Sequence, residues 1–206
     1  MKNNLSRSDF AISLGMGSLS TAVLSNAIIN DKSTVGDNIN HIGPQKGFTP
    51  HVGTLVSMLD WVRDTIFKYH SKLTMEQLDH LHDKDSNTIG SLIMHLADTE
   101  VIYQDITFEN LDDFSPANKE KWGVAMDLGE KARKEIKGNP LSYYKDMYEE
   151  VRKQTNEGLS KRDDQWLLSG ETKEWDWNNY CKWFHVVEHY ANHRGQITWQ
   201  SRRLPK

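Results

Sequence analysis

Apolar residues recur at three- and four-residue spacing in four stretches of the chain, and each stretch predicts an amphipathic helix. The first runs from about Pro50 to Leu73, with Leu55, Met58, Leu59, Val62, Ile66 and Tyr69 on one stripe. The second follows a cap at Ser86 or Asn87 and runs to about Phe108; its stripe is Ile89, Leu92, Ile93, Leu96, Val101 and Tyr103. Asn139-Pro140 opens the third, with Pro140 suited to the first turn. Leu141, Tyr144, Met147, Tyr148 and Val151 mark its inner face, and it ends between Leu159 and Asp164. The fourth runs from about Asn178 to Arg203, with Pro205 beyond it. The stretch from Asn110 to Gly138 is less regular and reads as a long connection with one short helix. No alternating strand pattern and no repeat period is present. The fold class is therefore all-α, a four-helix bundle, whose core is a natural place for a metal site.

The first fifty residues break this pattern. Lys2 and Arg7 precede an apolar and small-residue run from Phe10 to Leu24, and Ser25-Asn26-Ala27 offers a small-x-small cleavage site. That is the layout of a secretory signal. Residues 1–27 are thus a candidate signal peptide, 28–48 a flexible linker and 49–206 the folded domain. Ser6-Arg7-Ser8-Asp9-Phe10 is similar to a twin-arginine export signal with Ser8 in place of the second arginine. Export to the periplasm follows if the segment is a signal, and a cytoplasmic location if it is not. The apolar run is too short for a stable membrane span and is broken by Gly15 and Gly17.

Composition narrows the chemistry. With 206 residues, one domain with a sizeable core is expected. A net charge of −4 gives no footprint for nucleic acid. The single cysteine, Cys181, excludes a disulfide framework and a Cys-rich zinc site; it reads as a buried structural thiol in preference to half of a Cys/His nucleophile pair. Trp61, Trp175, Trp177, Trp183 and Trp199 read as core or interface.

Three of the nine histidines fall between positions 185 and 193, and that crowding is the strongest chemical signal in the chain. His185, His189 and His193 are successive i, i+4 neighbours on the fourth helix, and adjacent members lie about 5–6 Å apart at Cβ. Two imidazoles at that spacing can chelate one ion, with bonds of about 2.0–2.1 Å. His185 and His193, eight residues apart, are separated by about 12 Å along the axis, so all three cannot share one ion. A third ligand must come from another helix. His95, set among Leu92, Ile93, Leu96 and Ala97, is the best candidate, because an inward unpaired histidine is costly. A core histidine held by hydrogen bonds is the competing reading for His95. His51, His70, His80 and His82 read as helix-end or loop residues. The metalloprotease pattern H-E-x-x-H is absent, since Tyr190 follows His189 where that pattern needs glutamate.

Gly90-Ser91-Leu92-Ile93-Met94-His95-Leu96-Ala97-Asp98-Thr99-Glu100, together with the run that ends His193-Arg194-Gly195-Gln196, resembles the DinB-like superfamily over about residues 49–203. The resemblance implies a four-helix bundle, a homodimer and a divalent metal, zinc or nickel, on His95, His189 and His193. It also implies that His185 stands behind the ligand histidines or faces the substrate. Activities in the superfamily include transfer of low-molecular-weight thiols and thiol-dependent isomerisation.

Three neutral imidazoles leave a 2+ charge uncompensated and a coordination position open, so a bound water or thiol loses its proton near neutral pH. Three functions fit: a metal-dependent transferase acting with a small thiol on an unknown small-molecule substrate, a metal-dependent hydrolase, or a non-catalytic metal- or ligand-binding bundle. Glu100 is a candidate general base but reads better as a solvated helix-end residue. Arg194 is a candidate for binding an anionic substrate group, with a surface salt bridge as the stronger reading. Gln196 is placed to hydrogen-bond the second nitrogen of a ligand histidine. Gly195 costs a helix about 1 kcal/mol relative to Ala, which points to close approach of a neighbouring helix.

Overall fold

The computed structural model describes residues 38–172 and 175–205. The candidate signal peptide and the first part of the linker lie outside the described residues. Among the described residues there are eight helices: α1 (Pro50–Tyr69), α2 (Met75–Leu78), α3 (Ile89–Phe108), α4 (Pro116–Asp127), α5 (Gly129–Glu135), α6 (Leu141–Leu159), α7 (Asp164–Leu167) and α8 (Asn179–Ser201). The long ones, α1, α3, α6 and α8, are the four bundle helices. α3 packs on α6, α8 and α4, while α8 also packs on α1.

The apolar stripes form the core. Leu55, Leu59, Val62 and Ile66 of α1 are buried against Leu92, Leu96, Tyr148 and Tyr190 in one cluster. Each leucine-sized side chain so buried stabilises the fold by about 1.5–3 kcal/mol. Tyr69 is the exception on its stripe: it is 74% exposed, because the helix ends there and the chain turns into α2. α1 is thus shorter than expected, and Thr74 stops the extension by forming a capping box with Gln77 that starts α2.

Capping corrects two further expectations. The side chain of Thr88, not Ser86 or Asn87, caps α3 by accepting from the Ser91 amide at 3.1 Å. Pro140 is the N-cap of α6, outside its first turn. The connection from Asn110 to Gly138 holds two helices, α4 and α5, separated by Leu128 at φ 53°. α1 has no side-chain cap of its own, and Asp164 of α7 serves instead. Its Oδ1 accepts from the amides of His51 at 3.0 Å and Val52 at 3.2 Å.

α3 is buried on nearly every side, including Ser91, His95, Asp98, Thr99, Glu100, Asp105 and Thr107. Gly90 permits this at its first turn, where a Cβ would stand 2.7 Å from the Tyr144 hydroxyl. Polar groups on such a helix need internal partners. Glu100 is fully buried, which overturns its reading as a solvated helix-end residue. Its carboxylate accepts from Arg152 Nε at 3.0 Å, Thr155 Oγ1 at 2.6 Å and Tyr190 Oη at 2.6 Å. Arg152 Nη1 continues to Asp60 Oδ1 at 3.0 Å. Burial pushes the Glu100 carboxyl up, but the Arg152 charge and the three donors outweigh it and hold the group below its ordinary range.

Candidate metal centre

One turn of α3 and two turns of α8 bring His95, His189 and His193 together. Each offers a ring nitrogen, and these nitrogens lie within 4.8 Å of one another. The Nε2 atoms of His95 and His189 are 3.0 Å apart. Two ligand atoms on one tetrahedral ion with bonds near 2.05 Å stand about 3.3 Å apart, so the spacing fits a shared cation.

Partners on the far side of the rings fix which nitrogens face inward. His95 Nδ1 lies 3.1 Å from the Ala125 carbonyl of α4, which can only accept. The proton of the neutral ring is therefore on Nδ1, and Nε2 carries the free lone pair. His193 Nδ1 meets Gln196 Oε1 at 3.0 Å, which sets the same tautomer. Asp98 Oδ1 stands 3.5 Å from His95 Nδ1, longer than a good hydrogen bond, and acts on the ring as a nearby charge. Asp98 is fully buried, and neither of its oxygens has a hydrogen-bond partner among the described residues. Burial, only partly offset by His95, pushes its carboxyl up to about 7.

The His189 and His193 imidazoles stay neutral. Burial, then the neighbouring rings of His193, His95 and His185, pushes His189 down to about 3. Burial and the His95 ring lower His193 as well. Neutral imidazole is the form that ligates metal. The donor set therefore fits a borderline divalent cation, by ring type, spacing and protonation.

His185 stands outside this group. Its Nδ1 pairs with the Tyr103 hydroxyl at 2.9 Å, and its ring centroid is 5.5 Å from that of His189. Burial pushes the Tyr103 phenol up to about 12, so it remains protonated. Trp177 and Trp175 extend the wall, with ring centroids 5.7 Å from His185 and 6.1 Å from Tyr103. Among the tryptophans, Trp183 and Trp122 are buried in the core, whereas Trp199 and Trp177 are exposed.

Two expectations on this helix are corrected. Among the described residues Arg194 makes no salt bridge; its Nη1 donates to Thr65 Oγ1 at 2.8 Å, and its guanidinium lies 5.1 Å from the Trp61 ring centre. It thereby ties α8 to α1. Among the described residues no helix approaches Gly195, where a Cβ would meet nothing within 4 Å.

Asp98 and the Tyr103–Trp175–Trp177 wall were absent from the sequence-based candidates. Asp98, three residues after His95 in an otherwise apolar run, was the one readable signal; the tryptophans precede α8 in a non-helical segment with no period to read.

A family model described as Mycothiol-S-transferase matches residues 54–199, a span that contains all three clustered histidines. No curated protein matches the chain.

Proposed function

Since the chain belongs to the mycothiol S-transferase family, within the DinB-like superfamily, we propose that it is a metal-dependent transferase that joins the sulfur of a small thiol to an electrophilic carbon of a second substrate: the C–S bond forms as the bond from that carbon to its leaving group breaks (chloride in monochlorobimane), and the thiol proton passes to solvent. The observation that carries this reading is the set of three ring nitrogens within 4.8 Å, with no fourth protein ligand among the described residues. A purely structural ion is closed by a fourth protein ligand, whereas a catalytic one keeps a position for substrate.

His95, His189 and His193 would hold the ion. When bound, it would lower the pKa of a thiol that reaches the open position, so that sulfur is nucleophilic near neutral pH. The remaining chemistry belongs to the chain. Ala125 and Gln196 hold the His95 and His193 rings in one tautomer and orientation. Tyr103, protonated at neutral pH, shares a hydrogen bond with His185 Nδ1 and holds that ring beside the metal centre, on the wall that Trp175 and Trp177 extend.

The test combines elemental analysis with a thiol-transfer assay. About one divalent metal per chain is expected, together with metal-dependent loss of free mycothiol in the presence of an alkylating electrophile such as monochlorobimane. His189→Ala should lose both. Absence of metal after reconstitution, or full transfer by metal-stripped protein, would overturn the reading.

A further inference from the structure

A cavity lies at the opposite end of the aromatic wall from the histidines. It has a volume of about 870 Å³, and Ile106, Leu111, Gly170, Trp175, Asn179 and Lys182 are among the residues that line it. Lys182 and the metal-centre residue His189 are on the same helix, seven positions apart, about 10 Å along the axis. Side chains bridge that distance without a break: His189 to His185, His185 to Tyr103, Tyr103 to Trp175, Trp175 to Lys182.

Lys182 is the unusual member. It is only 3% exposed, a degree of burial lysine rarely reaches unless its charge is paired. Its Nζ donates to the Gly170 carbonyl at 2.6 Å and lies 4.9 Å from the Trp175 ring centre. These contacts hold the ammonium in place, but no carboxylate among the described residues stands within 4.0 Å of it. An ammonium has three N–H groups, and one is used. A buried cation of this kind is stabilised by an anion that enters the cavity. Burial lowers the Lys182 pKa and Glu171 offsets this only in part, which agrees with a charge still short of its counter-ion.

The rim decides which anion fits. Glu171 and Asp112 also line the cavity, and both are exposed. Their charges repel a dianion more strongly than a monoanion, so a carboxylate is favoured over a phosphate. Trp175, Ile106 and Leu111 give the same cavity apolar and aromatic surface for a ring or a short hydrocarbon stem.

We propose that this cavity is a binding subsite for a monocarboxylate with an apolar or aromatic body, with the carboxylate on Lys182 and the body against Trp175. That the ligand is the electrophilic co-substrate of the transfer rests on the function proposed above; carboxylate binding itself does not. A substrate anchored here by its acid group and extending about 10 Å along α8 would present its far end to the metal centre.

The probe is 3-phenylpropionate, compared with the uncharged 3-phenylpropanol, titrated into the full chain and followed by calorimetry and ligand-observed NMR. On wild-type protein the acid should bind at least tenfold more tightly than the alcohol. Lys182→Met should abolish that preference, and His189→Ala, which removes a metal ligand, should keep it. Equal binding of acid and alcohol to wild-type protein would overturn the subsite without any variant. An acid preference that survives Lys182→Met and disappears in His189→Ala would also overturn it, placing the carboxylate on the metal centre and leaving the transferase reading intact. Loss of thiol transfer in metal-loaded wild-type protein, with the acid preference unchanged, would instead remove only the link to the co-substrate.

Discussion

The Nε2 atoms of His95 and His189 face each other at 3.0 Å across 94 residues of chain. Without a cation between them, one of the two must donate to the other. With one, both can present lone pairs, and the Ala125 carbonyl already leaves the His95 lone pair on Nε2. The pair is thus a preformed bidentate site to which His193 adds a third arm.

The outer partner of that third arm should matter to metal affinity. Gln196→Leu removes the acceptor that orients His193 Nδ1. Losing such a partner costs about 10–100-fold in affinity. Competition against a chromophoric chelator should show this drop while circular dichroism stays unchanged; unaltered affinity would mean that the ring is held by packing alone.

Glu100 and Arg152 form a buried pair whose halves depend on each other. Glu100→Ala leaves a guanidinium without its main counter-charge and should destabilise the fold by about 3–5 kcal/mol. The double replacement Glu100→Leu/Arg152→Met should be less destabilised than Glu100→Ala. Urea unfolding of the variants measures the difference, and simple additivity of the two single effects would contradict the coupling.

The same pair sets a pH dependence. Glu100 titrates below its ordinary range in the folded protein, and at about 4.3 when unfolded. Its contribution is therefore fully present above about pH 4.3 and is lost as pH falls through the lower folded value. The stability gap between wild type and Glu100→Gln should be constant from pH 7 to 5 and narrow below pH 4. A gap that widens on acidification would reverse the sign of the assigned shift.

Gly195 sits inside α8 with open space where its Cβ would be. Gly195→Ala should stabilise the protein by up to about 1 kcal/mol, since the helix gains propensity and nothing clashes. Thermal melts of apo and metal-loaded protein test this. Destabilisation in both would show that a partner occupies that surface.

Much of this was legible in the chain. The stripes on α1, α3 and α6 located three of the bundle helices, because three- and four-residue spacing is a local property. The His189/His193 pair was legible for the same reason. Its third member could be nominated only from polarity in an apolar run, and its position beside the pair is a tertiary fact. Glu100 was misread because α3 carries polar groups on several faces, so its pattern alone does not show that all of them are buried. Gly195 was misread because a glycine in a helix shows its cost but not its surroundings. The Lys182 cavity depends on a turn from Gly170 onward that has no period.

Arg152 belongs to α6, Glu100 to α3, Asp60 to α1, and Tyr190, which donates to Glu100, to α8. One charged knot therefore touches all four long helices. Apolar stripes tolerate slippage, since one leucine can replace another a turn away. A charge inside the bundle does not: a slip of one turn, about 5.4 Å, would strand Glu100 without its counter-ion. The knot thus selects one threading of the four helices from several that would bury similar apolar area, and with it the register that sets His95 opposite His189.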